Sequence, residues 1–165
     1  SQPGWLGITG HGSATNYFDH YGSFCYLQGI GGNLVAGSSI NIQYNQSVAQ
    51  WQLVVDSTGS ALVGYYSCID FSAANGQAGV LSLSQQFTVT GSEDLGALGF
   101  SNPNDFCAIV GIGGNWSAAN ESQGIGGALV QTGTNNGWYA EMFNRPAGSS
   151  AYIQVQCVSY AVATE

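Results

Sequence analysis

The chain contains no lysine and a single arginine, Arg145, against nine acids. Only 6% of its 165 residues are charged, where about 25% is usual. The sequence pI of about 4.1 therefore reflects missing bases more than abundant acids. That balance counts against a halophile-type surface, which would be crowded with carboxylates. It also argues against nucleic acid and anionic lipid as partners, since both are bound through clustered Lys and Arg. No stretch approaches the roughly 18 consecutive apolar residues that span a bilayer, so no membrane insertion is expected.

Other signals are missing too. Apolar residues nowhere recur convincingly at three-and-four spacing, and the 25 glycines weigh against helix. The segment 118–124, AANESQG, could make a single turn at most. The four cysteines include no CxxC pair, and only His11 and His20 could assist them in holding a metal. No GxSxG elbow accompanies those histidines, and neither GxGxxG nor a P-loop occurs. Glu93, Asp94, Asp105 and Glu121 could supply a glycosidase's paired carboxylates or ligate calcium. The two halves of the chain do not share these acids, so such a site would belong to one half alone. The expectation is a protein without catalytic machinery, cofactor or metal.

Hydrophobic residues make up 44% of the chain, enough for one good-sized core or two small ones. The surface is left to Ser, Thr, Asn, Gln and Gly, with nine Tyr. Such a surface repels its neighbours weakly and hydrogen-bonds readily, which suits packing against copies of itself or contact with sugars. It equally suits an extracellular protein that avoids proteases, because Arg145 is followed by Pro146. An opening at Ser1 without a basic, apolar leader is what a processed secreted chain, or a trimmed one, would show.

One phrase occurs twice. FCYLQGIGGNL fills 24–34 and FCAIVGIGGNW fills 106–116. After the first come a tryptophan segment, QWQLVVD (50–56), and VGYYSCIDF (63–71) with Cys68. After the second come GWYAEMF (137–143) and IQVQCVSY (153–160) with Cys157. The shared order predicts an internal duplication of about 80 residues. The local patterns alternate with period two: Ile40, Ile42 and Tyr44; Trp51, Leu53 and Val55; residues 81–89; and Ile153, Val155 and Cys157. The predicted fold is all-β, with two tandem disulfide-pinned β-sandwich-like units at 1–78 and 79–165.

Four cysteines allow three pairings. Duplication favours a bond within each unit, Cys25–Cys68 and Cys107–Cys157, and disulfides imply an oxidising, extracellular or cell-surface setting. The glycine phrase reads as a place where the strand bulges or turns past side chains that would otherwise collide.

Aromatic residues are the best candidates for contact. Trp5, Tyr17, Phe18 and Tyr21 cluster in an N-terminal Gly/Ser-rich stretch that is expected to serve assembly or ligand binding. Tyr65 and Tyr66 are adjacent and should face opposite sides of their strand. The sequons at Asn45, Asn115 and Asn120 mark possible glycosylation sites in a secretory route that uses them.

The order of cysteine, Gly-Gly phrase, tryptophan strand and closing Cys-aliphatic resembles secreted bacterial β-repeats, some of them in surface, fibre or adhesin-like chains. The resemblance spans both halves and transfers no functional residue. The expected function is a non-enzymatic subunit that self-associates into an extracellular fibre, appendage or surface layer. The alternative is a secreted lectin or adhesin that binds glycans.

Overall fold

The computed structural model describes residues 4–20, 22–70, 81–101, 104–116, 126–132, 137–143, 145 and 147–160. The expected boundary at 78/79, Tyr21, Asn120, Glu121 and the segment 118–124 lie outside them. The described residues are all-β and include no helix. The first half supplies β1 (Gly4–Ile8), β2 (Gly12–His20), β3 (Ser23–Gly32), β4 (Ser39–Asn45), β5 (Gln50–Ser57) and β6 (Leu62–Asp70). The second supplies β7 (Leu81–Leu83), β8 (Phe87–Val89), β9 (Ser92–Asp94), β10 (Asp105–Gly113), β11 (Gly126–Thr132), β12 (Gly137–Phe143) and β13 (Tyr152–Tyr160).

Three antiparallel sheets result. The first has the order β1-β6-β3, and the third the order β11-β12-β9. Between them runs a larger sheet, β2-β5-β4-β10-β13-β7, with β8 also paired to β13. In the first half β3 and β1 flank β6, while β4 and β2 flank β5. In the second, β10 and the β7/β8 pair flank β13, while β11 and β9 flank β12. The pairing orders of the halves thus correspond, with the β7/β8 pair of the second half in the place that β1 holds in the first.

The period-two patterns locate the core. Trp51, Leu53 and Val55 on β5 and Ile40 and Ile42 on β4 are fully buried with Phe24 and the Cys25–Cys68 bond. A second cluster gathers Leu95, Ala140, Met142, Ile153, Val155 and the Cys107–Cys157 bond. The clusters meet at β10, which buries residues on both faces: Ala108 and Val110 join the first, Cys107 the second. Both disulfides join residues directly opposite each other on neighbouring strands. Residues 81–89, expected as one alternating strand, form two short ones. The break falls at Ser84, whose hydroxyl accepts the Cys157 amide at 2.9 Å in place of a ladder partner.

Each tryptophan strand is anchored in the same way. Trp51 Nε1 donates to the Ser23 carbonyl at 3.0 Å, and Trp138 Nε1 donates to the Asp105 carbonyl at 3.0 Å. Both acceptors lie two residues before a cysteine of the repeated phrase. The neighbouring phenylalanines meet these rings edge-on, Phe24 at 5.8 Å from Trp51 and Phe106 at 5.7 Å from Trp138. A buried indole N–H left unpaired is costly, so one carbonyl fixes the depth of each tryptophan strand against its cysteine strand.

Candidate functional site

Each GIGGN phrase occupies the end of a cysteine strand. Register with the partner strand slips between Leu27 and Gly29 on β3, and between Ile109 and Gly111 on β10. Both slips fall one residue before the phrase's first glycine, and such bulges bend a strand and increase its twist. Gly32 and Gly114 then take φ of 96° and 82°. A Cβ on Gly32 would run into the Ala61 carbonyl oxygen, and one on Gly114 into that of Ser150. The glycines are therefore required by the backbone.

The outer edges of the two strands meet different fates. On β10, Gly111, Ile112 and Gly113 pair with Asn41, Ile40 and Ser39 of β4. The contact continues past the strand: the Gly114 amide donates to the Ser38 carbonyl and the Trp116 amide to the Leu34 carbonyl, both at 2.9 Å. Neutral amides lock the junction laterally. Asn41 Nδ2 reaches Gln86 Oε1 at 2.9 Å and Gln154 Oε1 at 2.6 Å, while Gln86 Nε2 donates to the Ile42 carbonyl at 2.7 Å. Ile112 and Trp116 pack against both core clusters, wedging the halves together. This joint is a continuous sheet sealed by apolar contact and neutral hydrogen bonds.

On β3 the corresponding residues are Gly29, Ile30 and Gly31. Among the described residues β3 pairs on one side only, with β6, and Ile30 is 37% exposed. The counterpart of β4 is β11, aligned through Tyr44 opposite Trp51 and Gln131 opposite Trp138. It too pairs on one side only among the described residues, with β12. Among the described residues, the β4 and β10 edges are thus paired with each other, while one edge each of β3 and β11 is unpaired.

A second feature covers the outer face of the β1-β6-β3 sheet. Trp5 and Tyr65 are direct cross-strand partners, 66% and 43% exposed respectively. Trp5 borders a depression of about 410 Å³ whose floor includes Gly7, Gly31 and Val63. Adjacent Tyr66 turns inward and stacks on Phe18 with ring centroids 3.6 Å apart. Burial, and secondarily the negative charge of Asp19, push the Tyr66 hydroxyl above its usual pKa.

Of the four N-terminal aromatics, the three within the described residues fall on two different strands. Trp5 sits on β1, while Tyr17 and Phe18 are neighbours on β2, Tyr17 exposed and Phe18 packed against the first core cluster. The stretch is integrated into the first half, β1 along β6 and β2 along β5. Asn45 is half-buried at the end of β4, where its Nδ2 donates to Gln52 Oε1 at 3.0 Å and its Oδ1 accepts the Ser47 amide at 2.9 Å. Asn115 is half-buried beside the junction.

Among the described residues, Asp94 and Asp105 are held in separate local contacts. Asp94 accepts the Ala97 amide at 3.0 Å and so closes a turn. Asp105 is buried, accepting the Ser101 amide at 2.8 Å and bonding the Ser159 hydroxyl. Asp19 lies close to the sulfurs of Cys25 and Cys68, but those cysteines are bonded to each other and cannot serve as thiolate ligands. Arg145 spends its guanidinium on the carbonyls of Ala151 and Ser149. No protein family, curated protein or solved structure matches the chain. Two disulfides point to an oxidising environment, and among the described residues no helix is long and apolar enough to cross a membrane.

Neither Ile30 nor the Asn41–Gln86–Gln154 network is marked by a motif of its own in the sequence. The one available signal for Ile30 was its twin, Ile112, in the second copy of the phrase.

Proposed function

We propose that this chain is a non-enzymatic extracellular structural subunit that associates with copies of itself into a fibre, appendage or surface layer. The observation that carries this reading is the junction between its halves, an edge-to-edge β pairing closed by Ile112, Trp116 and neutral amides. A surface with one base and few acids has little ionic complementarity to use, and this joint needs none. Exposed strand edges invite further pairing, and proteins that must stay apart commonly guard them with lysine or proline. The β3 edge triplet is Gly29-Ile30-Gly31, with neither. The same correspondence supports an internal duplication as the origin of the two halves.

Electron microscopy and light scattering of the native protein should show extended assemblies. They should persist in about 1 M NaCl, because screening weakens only contacts between exposed charges. A protein that stays monomeric over its whole soluble concentration range would overturn the reading.

A second reading, glycan binding, is favoured by the exposed Trp5–Tyr65 pair beside its depression. Aromatic faces of this kind stack on sugar rings while neighbouring polar groups bond the hydroxyls. Retention of the monomer on a glycan column, lost on Trp5→Ala, would favour it over the structural role.

A further inference from the structure

The self-association reading leaves open which surfaces meet; the inference drawn here rests on that reading and names them. We infer that the β3 edge of one copy pairs antiparallel with the β11 edge of the next, repeating between chains the β4–β10 junction found within the chain. β10 and β3 share the phrase, the bulge, the disulfide position and the terminal left-handed glycine. β4 and β11 share their place beside a tryptophan strand. The internal junction consumes β4 from the first half and β10 from the second. Among the described residues, what remains is the β3 edge in the first half and the β11 edge in the second, the two halves of the same joint.

The register follows from the alignment. Within the chain, Ile112 lies opposite Ile40 and Gly111 opposite Asn41. Shifting β10 onto β3 turns Ile112 into Ile30 and Gly111 into Gly29. Aligning β4 with β11 through the tryptophan strands turns Ile40 into Gly127 and Asn41 into Ala128. Ile30 of one copy therefore meets Gly127 of the next, within a sheet ordered β9-β12-β11-β3-β6-β1 across the two chains. That order matches β2-β5-β4-β10-β13-β7 within one chain.

Exposure agrees with this assignment. Ile112 is packed against both cores, whereas its twin Ile30 is left 37% exposed. Gln154, opposite Gly111, reaches across to Asn41; its counterpart Tyr65, opposite Gly29, is 43% exposed. The open edge has the apolar residues of the closed one without their cover. Because the joining edges are two different strands, the contact is heterologous and propagates, giving a filament unless the rotation closes a ring.

The experiment uses the full chain. Hydrogen exchange of assembled against dispersed protein should show new amide protection at 29–32 and 126–128. Ile30→Lys places a charge on the edge and should raise the concentration needed for assembly by about tenfold or more. Leu98→Lys, at a residue 51% exposed in the turn that follows β9, should leave it unchanged. Unchanged melting of Ile30→Lys would show that the fold is intact, and the exchange pattern stands without any variant. If wild type and Ile30→Lys assemble alike, or protection appears on β1, β2 or β7 instead, the pairing is wrong while self-association stands. If wild type never assembles, the self-association reading itself falls, and the pairing with it.

Discussion

Replacing the last glycine of each phrase, Gly32→Ala and Gly114→Ala, is the sharpest test of why the phrase is repeated. At φ of 96° and 82°, a residue with a Cβ occupies strained backbone that costs about 1–3 kcal/mol. The added methyl also meets the carbonyl oxygen of Ala61 or Ser150, on the turn leading into the partner strand. Backbone cannot swing aside as a side-chain tip can, so overpacking adds about 1–3 kcal/mol. Alanine also restricts the unfolded chain, returning about 0.4–1 kcal/mol. Each variant should thus lose about 2–5 kcal/mol, a large part of the roughly 5–15 kcal/mol that holds a typical domain. With a urea m-value of about 2 kcal/mol/M, a 3 kcal/mol loss lowers the unfolding midpoint by about 1.5 M. Gly29→Ala is the matched control: its Cβ would find nothing nearer than Tyr65 Cδ2 at 3.9 Å, and its stability should stay within about 0.5 kcal/mol of wild type. If Gly32→Ala and Gly114→Ala unfold at the wild-type midpoint, or Gly29→Ala is as damaged as they are, the backbone account of the phrase fails.

Removing either disulfide as a pair, C25A/C68A or C107A/C157A, frees loops closed over sequence separations of 43 and 50 residues. Chain entropy puts each loss at about 4 kcal/mol, and equilibrium denaturation of the two variants should give similar values. A loss below about 1 kcal/mol in either would show that the strand pairing holds without its cross-link. Stability should also fall at alkaline pH through Tyr66. Its hydroxyl has a raised pKa in the fold, so the stabilisation is fully present below the unfolded tyrosine value near 10 and fades as pH rises through the folded value. Tyr66→Phe should flatten that part of the pH–stability curve, and an unchanged slope would count against the assignment.

The strands and the cysteine pairing were legible in the sequence because both are local or repeated. Alternation of Ile40 with Ile42 and of Trp51 with Leu53 and Val55 leaves one face to bury, and a strand buries one face by period two alone. Two copies of one phrase, each with a closing cysteine, indicated which thiols are near. Adjacent Tyr65 and Tyr66 had to diverge, and they do, one outward and one onto Phe18. The split of residues 81–89 was not legible, since it depends on the Ser84 hydroxyl finding the Cys157 amide from a strand far away in sequence.

What only the tertiary structure decided is how the halves meet. Strand edges carry backbone groups that are the same in every residue, so no side-chain pattern announces that β4 will pair with β10. The choice depends on the bulge aiming β10 at β4, on Gly111 leaving room for Asn41 and Gln154, and on Ile112 and Trp116 reaching both cores. The β4–β10 pairs join residues about 70 positions apart, and Gly111 and Gln154 lie on different strands. The same physics left Ile30 and Ile112, which the sequence makes twins, in different surroundings: one at an open edge and one inside a joint.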